Sequence, residues 1–334
     1  MMLIEILVAF FCAFWTISLI LLRWPALLHG KKKSAISATV VCHRGGSGEF
    51  IENTLHAFSS SVKLGCDMLE LDCQLTKDEE VVVSHDNDLS RATGVNKCIS
   101  DLTFNELPPY SDHLDVTFGF VDDELHSPAR EFFYQFPKRV FLVARGRECW
   151  AAEGVSRQIP LLRTVFEQFP HVPINIDVKT DNLVLIKKIS ALIEEFNRVD
   201  ITVWGSFSDT VNQKCRLENP RIATFVPIKR TLKIVLAYYL GLLPFLPLSD
   251  GFFEVPLVQN FGLLMSKSLV NHLRARGIQV FYWVCNTEKD YDRAFSMGRV
   301  AVVTDYPSQL MRYLGQHPGV QRGTFSSKAA PSSA

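Results

Sequence analysis

The chain has 334 residues, 47% hydrophobic, 11% aromatic and 21% charged, and Lys+Arg and Asp+Glu both total 35. That is too apolar for a disordered chain and long enough for one large domain or two small ones. Zero net charge gives no pointer to nucleic acid, and the eight cysteines (12, 42, 66, 73, 98, 149, 215 and 285) lack CxxC spacing, which argues against a disulfide scaffold and a structural zinc site and suits a reducing compartment.

The first predicted element is a membrane anchor. Residues 6–22 read ILVAFFCAFWTISLILL, 17 positions without a charge. At 1.5 Å per residue this run covers roughly 25 Å, close to a bilayer core of about 30 Å. A cleaved signal peptide has its basic residues before the apolar run; here they come after it, as Arg23 and Lys31 to Lys33. The positive-inside rule therefore puts the body in the cytosol, with Trp24 at the level of an interfacial aromatic. Residues 1–24 read as the anchor and 25–38 as a basic linker.

From residue 39 onward, strands alternate with helices. Strands are predicted at 39–42, 67–75, 81–85, 172–178, 201–204, 222–225, 252–256, 278–284 and 299–304, and helices at 52–64, 161–169, 183–196, 209–217 and 267–276, with one more after each of the last two strands. Alternation of this kind builds a parallel sheet. With no GxGxxG turn, the pattern favours a (β/α)₈ TIM barrel over a doubly wound sheet. Nine strands are one too many for that barrel. The linker 76–80 is too short for a parallel crossover, so 67–75 and 81–85 are predicted to form an antiparallel hairpin. A two-residue turn at Asp78-Glu79 places Asp72 opposite His85 and delivers His85 to the barrel mouth.

The chemistry-bearing residues gather at the ends of predicted strands. His43-Arg44 follows the first strand, Glu70 and Asp72 share one face of the second, His85-Asp86 ends the returning strand, and Asp177 and Lys179 form another i, i+2 pair. Thr304-Asp305 ends the last strand. Such carboxylates suit a hard divalent cation, Mg²⁺ or Ca²⁺. Two nearby imidazoles can serve as general acid and base, and Arg44 and Lys179 can neutralise a phosphate. Together these features describe metal-assisted phosphodiester hydrolysis. Each has a plainer explanation alone, such as a satisfied loop histidine or a solvated strand edge; their joint occurrence on separate strand ends carries the argument.

The blocks HRGGSGEFIENTLHAF, DMLELDCQLTKDEEVVVSHDNDLSRATG, NIDVK and VVTDYP closely resemble the glycerophosphodiester phosphodiesterase family over nearly all of 39–313. The anchor and the YYLGLLPFLP segment resemble its membrane-anchored lysophospholipase D branch. The resemblance implies a TIM barrel that cleaves lysophospholipids to lysophosphatidic acid plus an alcohol, on a membrane such as the endoplasmic reticulum. It implies that His43 and His85 are the acid/base pair and that Glu70 and Asp72 are metal ligands. The third ligand is implied to be Asp177, directly or through a water, or His85, because Asp177 stands where the family usually has Glu. Arg44 and Lys179 match phosphate-contacting positions, and Asn53 matches a position that ties the first loop to the site. In the implied mechanism a glycerol hydroxyl beside the phosphate attacks phosphorus, and water then opens the cyclic product.

Residues 119–158 lack a clear period and read as an atypical insertion, a surface excursion of low order inside a catalytic domain spanning 39–315. The uncharged stretch 234–249 is expected to be an interfacial segment beside the mouth that admits an acyl chain. The segment from Asn260 to Lys267 is shorter than the family leads one to expect, and 316–334 reads as a disordered tail. No obligate protein partner is evident. The rival readings are a phosphodiesterase for soluble glycerophosphodiesters and an inactive membrane-anchored binding protein.

Overall fold

The structure, a computed structural model, describes residues 2–116, 148–257, 264–320 and 322–323. Helix α1 (Met2–Arg23) is apolar on every side, and Ser18 is its one buried residue. It is long and apolar enough to cross a membrane. The strands that follow are β1 (Val40–Cys42), β2 (Met68–Leu75), β3 (Val81–Val83), β4 (His113–Asp115), β5 (Glu148–Trp150), β6 (Ile174–Val178), β7 (Thr202–Gly205), β8 (Ala223–Thr224), β9 (Phe252–Pro256), β10 (Gln279–Trp283) and β11 (Ala301–Thr304). Around them stand helices α2 (Leu55–Leu64), α3 (Leu162–Gln168), α4 (Leu183–Glu195), α5 (Asp209–Glu218), α6 (Ile228–Tyr239), α7 (Lys267–Ala275), α8 (Glu288–Ser296) and α9 (Pro307–Gln316).

Eight parallel strands pair in the order β8-β7-β6-β2-β1-β11-β10-β9. The two ends of that order meet at the Phe225–Phe252 bridge, where Val226 N–H donates to the Phe252 carbonyl at 2.9 Å. The result is the expected barrel, with β3 as an antiparallel spur on β2.

Strand alternation sorts the side chains. On β2, Leu69, Leu71 and Cys73 pack outward in the main core between sheet and helices, while Met68 packs with the apolar lumen residues Val41, Val203, Phe252 and Phe281. Glu70 and Asp72 share the face of Met68 and continue the lumen toward the C-terminal strand ends. On β6, Ile174, Ile176 and Val178 point outward and leave Asn175 and Asp177 to the lumen; on β9, Phe253 and Val255 leave Glu254. The lumen is thus apolar at its N-terminal end and polar at its C-terminal end.

Several local expectations change. The hairpin register is shifted by one residue: Cys73 faces Val83, and Ser84 N–H donates to the Asp72 carbonyl at 3.0 Å, so Asp72 is not opposite His85. The reason is a three-residue loop. Thr76 N–H donates to the Glu80 carbonyl at 3.0 Å, and Glu79 takes the left-handed conformation at φ 61°. Helix α2 begins at Leu55 rather than 52, because Asn53 is left-handed (φ 57°) and the Thr54 hydroxyl caps the Ala57 N–H.

Cys42 and Cys66 are joined in a disulfide across the neighbouring strands β1 and β2, with Cα atoms 6.7 Å apart. Scattered sequence positions concealed this pairing. Of the insertion, 119–147 lie outside the described residues, as do 260–263 of the stretch from Asn260 to Lys267. Its final stretch is ordered: β5 pairs with β4, and Cys149 and Ile159 join a satellite core with Ile51, Leu89, Tyr110 and Leu114. The tail is docked as far as Gly323, whose N–H donates to the Thr39 hydroxyl at 2.6 Å.

The stretch 234–249 also moves. Its first part is the ordinary barrel helix α6, and residues 240–249 lead into the start of β9. They therefore lie at the N-terminal end of the barrel, opposite the mouth, and do not frame an acyl-chain entrance there.

Candidate active site

The ends of β1, β2, β6 and β9 aim polar side chains into one cleft at the C-terminal end of the barrel. The cleft is lined by His43, Arg44, Glu70, Asp72, Asn175, Asp177, Lys179, Glu254 and an aromatic wall of Phe207, Phe225 and Trp283. Parallel pairing of β2 with β6 sets Glu70 beside Asn175 and Asp72 beside Asp177.

His43 caps β1. Its Nδ1–H donates to Asp305 Oδ1 at 2.6 Å, and Asp305 in turn accepts from the Asn286 amide at 2.7 Å and from the Ser47 hydroxyl. Register explains the pair: Cys42 lies opposite Thr304 on β11, so the residues just beyond each strand meet. Burial penalises the charged imidazole, but the Asp305 carboxylate outweighs it, and the His43 pKa is raised.

Arg44 is fully buried in a left-handed turn (φ 50°) that aims its backbone N–H at Glu70 Oε2, 2.7 Å away. Its guanidinium lies 3.3 Å from Glu52 and 3.6 Å from Asp72. Glu52 is also held by Arg91 at 2.6 Å. Burial opposes ionisation of Glu52, yet Arg91 and Arg44 keep its pKa at about 2. Asn53 is fully buried and donates its amide to Asp72 Oδ2 at 2.9 Å, a bond between the first loop and β2.

The carboxylates divide by environment. Asp72 is buried, but Lys179, His85 and Arg44 drive its pKa well below the usual range. The Lys179 ammonium bridges Asp72 Oδ1 (2.9 Å) and Asp177 Oδ2 (2.7 Å). Burial and the neighbouring Asp72 charge raise Glu70 to about 7. Burial raises Asp177 as well, with Lys179 opposing. His85 stands at the rim rather than in the cleft lining, its Nδ1 bonded to Asp86 at 2.7 Å, with Arg91 on the other Asp86 oxygen.

The sequence reading missed three contributors. Asp305 was noted at its strand end but not as the partner of His43, a contact that needs the barrel to close β11 against β1. Asn175 and Glu254 meet across the lumen at 3.1 Å, and burial raises the Glu254 pKa to about 8. A lone Glu in the apolar run FFEVP was the available signal for this lumen position.

Among the described residues, no three His, Cys, Asp or Glu side chains already converge as a cage for a cation. The donor chemistry nevertheless fits one. Three acidic side chains from β2 and β6 share the cleft, and Asp177 Oδ1 is buried without a hydrogen-bond partner among the described residues.

The pattern of the glycerophosphoryl diester phosphodiesterase family matches residues 43–309, which contain every side chain named above. The chain belongs to this family. Its members hydrolyse phosphoric diesters and are generally dependent on a divalent metal. Among similar proteins is human lysophospholipase D GDPD1, 45% identical over 318 residues, covering 89% of this chain and 92% of that one. Human lysophospholipase D GDPD3 is 36% identical over 322 residues, covering 90% and 92%. The fold matches a phosphodiesterase from Oleispira antarctica, solved with sn-glycerol-3-phosphate, at a TM-score of 0.59, 19% identity and coverage of 85% and 100%. It also matches the glycerophosphodiester phosphodiesterase from Agrobacterium tumefaciens at a TM-score of 0.58, 16% identity and coverage of 82% and 99%.

Proposed function

We propose that this chain is a metal-dependent lysophospholipase D, releasing the head-group alcohol from lysophosphatidylcholine, lysophosphatidylethanolamine and N-acyl lysophosphatidylethanolamine. The observation that carries the reading is the pairing of a carboxylate-oriented histidine, His43–Asp305, with the carboxylates Glu70, Asp72 and Asp177 in one cleft. Similarity to the two human lysophospholipases D supports the lipid substrate.

Both catalytic histidines are oriented in the same way. Asp305 fixes His43 through Nδ1 and Asp86 fixes His85 through Nδ1, and in this reading the Nε2 edge of each ring exchanges the proton of the reaction. His43, with its raised pKa, holds the proton and donates it to the departing alcohol oxygen. His85 takes the proton of the lysolipid's own hydroxyl as that oxygen bonds to phosphorus and the head-group alcohol leaves, and water then opens the cyclic phosphate to lysophosphatidic acid. Arg44 and Lys179 balance negative charge on the phosphoryl oxygens. Glu70, Asp72 and Asp177 would hold the divalent cation, Mg²⁺ or Ca²⁺, which when bound supplies charge stabilisation to the same oxygens. The burial of Asp177 beside Asp72 supports it, ahead of His85, as the third ligand. A lysophospholipid keeps a free hydroxyl near its phosphate and a diacyl lipid does not, which gives a chemical reason for the preference.

The anchor α1 holds the enzyme to a membrane, with the catalytic body in the cytosol and the endoplasmic reticulum as the compartment; the basic residues after α1 support that orientation. Choline release from lysophosphatidylcholine, compared with glycerophosphocholine, tests the substrate. The lysolipid is expected to turn over faster, and faster turnover of the soluble diester overturns the lipid assignment.

A further inference from the structure

The closed end of the barrel carries an apolar surface that the catalytic reading leaves unused. Helix α6 buries Thr231, Ile234, Val235 and Ala237 against the barrel. Its outer face exposes Leu232, Leu236, Tyr239 and Leu240, and the turn after it exposes Leu242 and Phe245. Between Lys233 and Asp250 the sequence has no charge. A water-facing turn of this kind would carry polar residues.

The anchor packs on this turn. Gly241 adopts φ +69°, and a Cβ there would meet the Trp15 ring and the Ser18 hydroxyl at 3.0 Å, so glycine alone admits α1 this closely. Phe14 stacks on Phe245, with ring centroids 6.1 Å apart. Phe14 lies nine residues before Arg23 in α1, about 13 Å along the helix. If α1 spans a bilayer, Phe245 therefore sits level with a stretch of anchor that acyl chains surround.

The backbone of the turn is fitted for that position. The Gly241 carbonyl accepts from Ser18 Oγ at 2.6 Å, and the Pro244 carbonyl from His29 Nε2 at 2.6 Å. The buried Arg276 guanidinium donates to the Leu246 carbonyl at 2.8 Å and lies 3.5 Å from that of Leu243. Water would serve these carbonyls in an aqueous loop. Hydrocarbon cannot, so irregular backbone at membrane depth must be satisfied from within the protein.

We infer that the outer face of α6 and the turn 239–246 form a second, non-spanning membrane contact, a wedge seated in the same bilayer leaflet from which α1 emerges. The inference rests on the anchoring reading above. Exposed Trp24, Leu27 and Leu28 continue the surface along the linker, and exposed Arg23, Lys31 and Lys33 stand where head groups would lie.

Site-directed fluorescence on the full chain in phosphatidylcholine vesicles tests it. An environment-sensitive label is placed at Leu242→Cys or Phe245→Cys in a Cys12→Ser background. Phe11→Cys is the reference on the anchor, and the exposed Leu217→Cys on α5 is the aqueous reference. Labels at 242 and 245 are expected to match 11, with several-fold stronger quenching by lipid-borne nitroxide than at 217 and shielding from iodide. Lipid quenching at 11 with iodide quenching at 242 and 245 overturns the wedge alone. Shielding of 242 and 245 from both quenchers also overturns it, and assigns the surface to a protein partner or a second copy of the chain. Iodide quenching at 11 and 242 together removes the anchor and the wedge with it.

Discussion

The two ends of the barrel solve opposite problems with the same strands. At the mouth, the ends of β1, β2, β6 and β9 present charged side chains to a buried cleft, and several charges around it are paired: His43 with Asp305, Asp72 with Lys179, Glu52 with Arg91. At the closed end the side chains are apolar, and the groups needing partners are backbone carbonyls, met by Ser18, His29 and Arg276. Chemistry and attachment are thus separated by the height of the barrel. Substitutions at one end are expected to leave the other intact, which makes the contrast testable.

The largest effects belong to the mouth. His43→Ala and His85→Ala are each expected to lower turnover by roughly 10²–10⁴-fold, without releasing the protein from membranes. Near-normal choline release by either variant removes that residue from the mechanism, and loss of membrane binding breaks the separation of the two ends.

Asp305→Asn refines the assignment of His43. The carboxylate raises the His43 pKa, so its removal lowers that pKa and the imidazole loses its proton at lower pH. If His43 is the acid, the alkaline limb of the kcat/KM profile moves to lower pH. A shift of the acidic limb instead makes His43 the base.

Cation binding has its own pH signature. Burial raises the pKa of Glu70 to about 7 and of Asp177 above its ordinary value. A carboxyl whose folded pKa is raised destabilises the metal-free fold as pH climbs from its unfolded value through the folded one. A divalent cation needs these groups ionised and reverses that penalty. The rise in Tm on adding Mg²⁺ or Ca²⁺ is therefore expected to be larger at pH 8 than at pH 5.5, and EDTA should remove it together with activity. Equal stabilisation at both pH values contradicts cation binding at these carboxylates.

The smallest effect lies at the closed end. Gly241→Val puts a branched side chain in a left-handed position against Trp15 and Ser18, and should destabilise that contact by about 1–3 kcal/mol. Thermal unfolding reads the loss, while kcat on a detergent-dispersed substrate stays within about twofold, since no residue of the cleft is touched.

Much of the mouth was legible in the sequence because strand alternation is a strict period: Glu70 with Asp72, and Asp177 with Lys179, follow from spacing. What depended on closure or loop geometry was hidden. Asp305 reaches His43 only because the last strand pairs with the first, and Cys66 meets Cys42 only because β2 lies beside β1. The left-handed Glu79 shifted the hairpin by one residue, which no hydrophobic pattern encodes. The apolar stretch 234–249 was visible as unusual, but its end of the barrel follows from topology: it precedes a strand and does not follow one.

The central claim is that the acidic cleft does the hydrolysis. Its most direct test is choline release from lysophosphatidylcholine by the full chain and by Glu70→Gln, a change that keeps the side-chain volume and removes the charge. The account predicts cation-dependent release by the natural chain and essentially none by the folded variant, whereas equal release by both would contradict it.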